Sequence, residues 1–198
     1  MFAVGHLAAG YLIGRAAGKV LNVRPNLSLL FLAAVIPDID LLIPSVEHRG
    51  PTHSLIVFIL LFLPVLLLAG TKAIPYFLAL AQHSFLGDYV TGGAQLLWPL
   101  TTQVYGTGLD VTSSTNLLLE WGFFLVSMAV LLYTRDLWRL FRRDRANLLL
   151  STPLLTVLLP AFLRFPTYVP LELMAPHLVY LTIFALSIAL DVKALLSN

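Results

Sequence analysis

Long apolar runs recur from one end of the chain to the other, interrupted only by short polar turns. They fall at roughly 2–21, 26–44, 53–71, 73–92, 115–134, 147–165 and 172–191, and each is about long enough to cross a hydrocarbon core of about 30 Å as a helix. Lipid cannot satisfy an open backbone, so the runs predict an all-α fold, a polytopic transmembrane helical bundle of about seven spans. Pro153, Pro160, Pro170 and Pro176 predict kinks or span ends in the last third, because proline removes a backbone donor and clashes with the preceding turn.

Composition agrees with the pattern. At 59% hydrophobic and 11% charged residues, the 198-residue chain lies outside the range of soluble globular proteins. It reads as a single transmembrane domain, residues 1–198, with its chemistry in residues 1–100 and scaffold helices in 115–198. The first run lacks a basic region before it and carries His6 and Arg15, which makes it a poor secretory signal and a retained first span.

Charge sets an expected orientation. Arg135, Arg139, Arg142, Arg143 and Arg145 crowd the segment between the fifth and sixth runs, and the positive-inside rule holds such a loop in the cytoplasm. Arg15, Lys19, Arg24, Lys72 and Lys193 then also fall inside, leaving only Arg49 and Arg164 of the 12 basic residues outside. The arginine run reads as a solvated cytoplasmic face and not as a nucleic-acid patch. The expected location is therefore the plasma (inner) membrane, multi-pass.

One consequence was not built into that assignment. His6, Asp38, Asp40, Glu47, His48, His53, His83 and Asp88 all come out near one depth at the extracytoplasmic end of spans one to four. Segment 93–114, glycine-rich with a Thr/Ser cluster, becomes an outer loop able to lie over them. With no cysteine in the chain, a metal there must be held by imidazole, carboxylate or water.

Three local motifs carry the chemistry. In Pro37-Asp38-Ile39-Asp40, two carboxylates end an apolar helix; each costs a few kcal/mol at membrane depth and the pair repels, so a cation or proton is needed to keep both. The plainer alternative is a helix end whose acids meet water. In Glu47-His48-Arg49-Gly50-Pro51-Thr52-His53-Ser54, Gly50 and Pro51 make a turn that can aim both imidazoles at one point, with Thr52 expected as N-cap of the helix that His53 starts. Arg49 is suited to an anionic group. In Gln82-His83-Ser84-Phe85-Leu86-Gly87-Asp88, a five-residue separation gives a poor shared face on a regular helix, so joint ligation requires a bulge or helix end near Gly87. His177, beside Pro176, either extends the site or lines the interface.

Gly5-His6-Leu7, Ile36-Pro-Asp-Ile-Asp40, His48-Arg-Gly-Pro-Thr-His-Ser54, His83 with Asp88, and Gly93-Ala-Gln-Leu-Leu-Trp-Pro99 occur in that order. The set resembles the LexA-regulated, membrane-bound, predicted metal-dependent hydrolase family over roughly residues 4–100. The resemblance implies metal ligation by His6, Asp38, Asp40, His48, His53, His83 and Asp88. Four residues separate His83 from Asp88 where the family pattern has three.

The expected function is a metal-dependent hydrolase acting on a membrane lipid or lipid-linked ester or phosphoester at the outer leaflet. Zinc is the first choice of cofactor, with manganese or iron as alternatives and one or more ions. Arg49 would orient an anionic group and Glu47 would act as general base. The alternatives are a metal-ion carrier, a non-catalytic regulator stapled by metal, and serine-based hydrolysis through Ser54 or Ser84.

Overall fold

The computed structural model describes residues 1–163 and 168–196. It is helical throughout, with a single isolated bridge between Ala94 and Tyr105 among the described residues. The first four helices are α1 (Ala3–Val20), α2 (Leu27–Val35), α3 (Leu55–Ala69) and α4 (Ile74–Gln82). A 3-10 turn, Ile36–Leu42, follows α2, and a π turn, His83–Asp88, follows α4. Next come α5 (Ser114–Tyr133), the short α6 (Asp136–Leu140), then α7 (Ser151–Pro153) and α8 (Leu159–Leu163), with a π turn over Leu154–Leu158 between them. The last helix is α9 (Met174–Leu196).

Four helical stretches are long and apolar enough to cross a membrane: Leu55–Lys72, Ser114–Tyr133, Arg145–Leu163 and Leu171–Lys193. The chain is therefore membrane-inserted. The other three expected spans are helical but fall short of that standard among the described residues. The second gives up its α-helix at Ile36 and the fourth changes to a π turn at His83, both where the ionisable residues begin. Arg164, expected outside, lies beyond the described residues.

Helix α1 runs through the middle of the bundle, in contact with α2, α4, α5 and α9. Its small residues explain both its modest hydropathy and its position. A Cβ on Gly10 would stand 2.3 Å from the Ala34 Cβ, and one on Gly14 would stand 2.5 Å from Leu30 Cδ2, so α2 lies directly against the α1 backbone. No side chain of its own caps the start of α1; Glu120 of α5 does so, accepting from the backbone N–H of Phe2 at 2.7 Å and of Gly5 at 3.1 Å. Helix α3 has the opposite character. Phe58 is its only buried residue, while Leu60, Leu61, Leu67 and Leu68 are exposed, as suits a surface bathed in lipid.

The core is a chain of rings. Tyr11 stacks on Phe31 at 5.6 Å; Phe31 meets Tyr180 and Phe184; Phe124 closes on Tyr180. Beyond these rings Asp136 binds Arg15 Nε at 2.7 Å, Arg139 Nη1 at 2.8 Å and the Tyr11 hydroxyl at 3.1 Å. Burial opposes charge on Asp136, but Arg139 and Arg15 outweigh it and hold the carboxyl below its ordinary value.

Replacing Gly10 by alanine is expected to lower the apparent melting temperature in detergent, with a cost of about 1–3 kcal/mol from overpacking against Ala34. Gly122→Ala, whose new Cβ meets nothing within 4 Å, serves as the matched control and is expected to leave the transition unchanged or slightly raised.

Candidate metal centre

Pro37 opens the 3-10 turn after α2, and the tighter winding turns both acids of the Pro-Asp-Ile-Asp motif inward: Asp38 and Asp40 are buried, while Ile39 between them is exposed. The residues following α4 wind into a π turn, whose hydrogen bonds span five residues. That supplies the irregularity the five-residue spacing demands, since it sets His83 Nε2 3.5 Å from Asp88 Oδ2. The same turn lets α1 approach. A Cβ on Gly87 would stand 2.3 Å from His6 Cε1, and the His6 ring lies stacked on His83 with centroids 3.7 Å apart.

The His48–Ser54 segment departs from expectation in its cap. The N-cap of α3 is Ser54, which accepts from Val57 N–H, and α3 begins at Leu55. Thr52 is not the cap; its hydroxyl donates to Asp40 Oδ2 at 2.5 Å, and His53 sits in a separate 3-10 turn. The helix starts later because the Ser54 hydroxyl is itself fastened, donating to the Leu96 and Trp98 carbonyls. The Gly93–Pro99 motif is thus a clamp beside the site: Gln95 N–H binds the Arg49 carbonyl and Leu55 N–H binds the Leu96 carbonyl, each at 2.9 Å.

Four side-chain atoms from three separate stretches then converge. His53 Nε2 and His83 Nε2 are 3.2 Å apart. Asp38 Oδ1 lies 3.6 Å from the first and 3.3 Å from the second, and Asp88 Oδ2 lies 3.4 Å and 3.5 Å from them. Ligands about 2.1 Å from one zinc ion stand about 3.4 Å from one another in a tetrahedron, so these five separations match five of its six edges.

The protons of the two rings can be placed from their other partners. His83 Nδ1 meets the Ala34 carbonyl at 2.7 Å, which only accepts, so Nδ1 carries the hydrogen. His53 Nδ1 faces the Thr52 hydroxyl oxygen at 3.0 Å and Asp40 Oδ2 at 3.3 Å; Thr52 gives its own hydrogen to Asp40, so both oxygens accept and Nδ1 carries the hydrogen. With those hydrogens on Nδ1, the two Nε2 atoms face a shared space flanked by two carboxylates, where a proton or a metal ion would relieve the lone pairs and the negative charge. Orphaned atoms point the same way: Asp88 Oδ2 and both nitrogens of His6 are buried with no hydrogen-bond partner.

The remaining predicted residues occupy distinct places. His6 forms a further ligand-competent group with Asp38 and His83, its Nε2 3.7 Å from Asp88 Oδ1. Asp40, expected as a ligand, belongs to none of the ligand-competent groups; it stands behind His53, accepts from Thr52 and pairs with His48 Nδ1 at 2.9 Å. His48 is on the exposed rim and forms a third group with Asp38 and His53. Arg49 reaches inward, with Nη1 donating to the Thr91 carbonyl at 2.5 Å and Nη2 3.3 Å from Asp88 Oδ1. Glu47 is exposed and accepts from Gln95 Nε2 at 3.1 Å; it belongs to none of the ligand groups.

A cavity of about 340 Å³ opens beside the cluster. Asp38, His48 and Arg49 line it, and so do residues from the half expected to be scaffold, among them Val157, Pro160 and His177. Sequence reasoning missed Glu120, Thr52 as a partner of Asp40, and the apolar walls of this cavity. Glu120, a lone acid within an apolar run, was the one detectable signal.

No curated protein and no solved structure matches the chain. A family model described as YdjM inner membrane protein matches residues 1–167, which takes in every residue of the cluster and extends past the motif-bearing first hundred. The chain belongs to the YdjM inner membrane protein family.

Proposed function

We propose that this protein is a membrane-embedded, metal-dependent hydrolase that cleaves a lipid-borne ester or phosphoester at the outer leaflet. The observation that carries the proposal is the approach of His53 Nε2 and His83 Nε2 to 3.2 Å between the buried carboxylates of Asp38 and Asp88. Asp38, His53, His83 and Asp88 would hold the ion, with His6 beside them. An all-nitrogen-and-oxygen donor set of near-tetrahedral spacing suits zinc first, with manganese or iron as alternatives. When bound, a divalent ion supplies the positive charge that polarises a scissile oxygen and acidifies water.

The chain's own side chains do the rest. Arg49 presents its guanidinium to the cavity and would bind an anionic headgroup oxygen; its contact with Asp88 fixes the group in place. Asp40 and the Ala34 carbonyl fix the tautomers of His53 and His83. Glu47 stands at the rim, where a general base would have to work through a water. The outer-leaflet assignment rests on the positive-inside rule, which holds the arginine-rich segment in the cytoplasm, with the cluster at the opposite end of α1. His6 and Arg15 are nine residues apart on α1, about 14 Å along its axis, and Arg15 is tied to the arginine-rich segment through Asp136.

Detergent-purified protein is expected to carry stoichiometric zinc, manganese or iron by elemental mass spectrometry, and the Asp38→Ala, His53→Ala double variant to carry less than about a tenth of it. Absence of bound metal in the native sequence after controlled reloading would sink the hydrolase mechanism. Two subtler substitutions follow from the supports of the site. Asp40→Asn is expected to weaken metal affinity by about 10–100-fold in a chelator competition assay. Gly87→Ala is expected to weaken it as well, by driving the His6 ring off its stack; unchanged affinity there would remove His6 from the centre. In an assay of lipid phosphoester cleavage, Glu47→Gln is expected to cost far less than either ligand substitution, and a loss as deep as theirs would restore Glu47 as the base.

A further inference from the structure

Two residues that line the cavity beside the cluster carry buried polar atoms whose hydrogen-bonding capacity is unused among the described residues. Arg49 Nε is a donor without an acceptor, and His177 Nε2 has no partner. His177 is fully buried, and its Nδ1 faces the Leu173 carbonyl at 2.7 Å. That carbonyl only accepts, so the neutral ring keeps its hydrogen on Nδ1 and Nε2 is an acceptor. Both residues line the same cavity, together with the apolar side chains of Val111, Val157 and Pro160. An orphaned buried donor or acceptor costs about 1–3 kcal/mol, and a ligand that satisfies both at once is selected by that cost.

We infer that this cavity binds the head of a single-chain lipid phosphate carrying a free hydroxyl, with an anionic oxygen on Arg49 and the hydroxyl donating to His177 Nε2. The inference rests on the hydrolase reading for its choice of a phosphate head and deepens it to a substrate class. Size and chemistry both contribute. A volume of 340 Å³ holds about eleven groups the size of a water molecule, enough for a glycerol phosphate and the first carbons of a chain, so the remaining chain stays in the bilayer. A two-chain glycerol phosphate has both neighbouring hydroxyls esterified and offers His177 no donor. A one-chain lipid keeps one free.

The test compares two non-hydrolysable probes, a monoalkyl glycerol phosphonate and its 2-deoxy analogue, titrated into the zinc-loaded protein in nanodiscs. The native sequence is expected to bind the hydroxylated probe about fivefold more tightly, the worth of one hydrogen bond. His177→Leu is expected to erase that preference, and His177→Gln, which keeps an acceptor, to retain part of it. Arg49→Gln is expected to weaken both probes alike. Equal binding of the two probes to the native protein, or an undiminished preference in His177→Leu, overturns the inference; saturable Arg49-dependent binding in that case leaves the hydrolase reading standing. If neither probe binds saturably, the lipid-phosphate assignment fails, whereas metal content judges the hydrolase mechanism separately.

Discussion

The Nε2 atoms of His53 and His83 face one another at 3.2 Å beside the buried carboxylates of Asp38 and Asp88, and the first four helices are arranged around that confrontation. The two carboxylates repel one another, and Arg49 stands against Asp88. Every element touching the cluster restrains it. The α2 terminus contributes the Ala34 carbonyl that orients His83, the 3-10 turn points Asp38 and Asp40 inward, and the clamp formed by residues 93–99 pins the turn that carries His53. A bundle relying only on apolar packing in lipid has no reason to gather such groups, because hydrocarbon makes each one costly. Their gathering is therefore the strongest statement the molecule makes about what it handles.

How the site is built explains what could be read from the sequence. Residue types and order were enough to identify the ligand-competent side chains, because carboxylates and histidines inside apolar runs are costly wherever they lie. The approach of His83 to Asp88 also followed, given the irregularity their spacing required, and the π turn is that irregularity. Thr52 misled because Ser/Thr preference for a cap is local, whereas the contest between Thr52 and Ser54 was decided by tertiary partners: Asp40 took one hydroxyl and the Leu96 and Trp98 carbonyls the other. Glu47 was adjacent in sequence to two site residues, yet adjacency does not set direction on a turn, and Gln95 holds it at the rim.

Span counting had a different weakness. Hydropathy ranks a segment by its own side chains, but α1 is a bundle-centre helix whose glycines serve close approach and whose polar groups find protein partners. Tyr11 and Arg15 both reach Asp136, and Glu120 satisfies the first turn from α5. By contrast α3, with almost nothing buried, scores highest. Apolarity alone therefore does not pick out the helices around the cluster: α1 is only modestly apolar, whereas α2 and α4 are apolar but too short as continuous α-helices.

The same interior bears on whether an ion would rest at the cluster or pass through it. Between the His6 end of α1 and the Arg15 end lies the ring chain of Tyr11, Phe31, Tyr180 and Phe184, all fully buried, with neighbouring centroids 5.0–5.9 Å apart. Gln82, the polar side chain nearest to bridging the gap, spends its amide N–H groups on the His6 and Ala79 carbonyls. Passage needs polar groups at successive depths, and here a layer of packed aromatic rings separates the two polar ends. At the other end, Asp136 is already neutralised by Arg15 and Arg139 and has no charge to spare for a travelling cation. A cation held by Asp38 and Asp88, as proposed, would face those rings on the inner side and the cavity on the other, which favours the hydrolase proposal over a carrier.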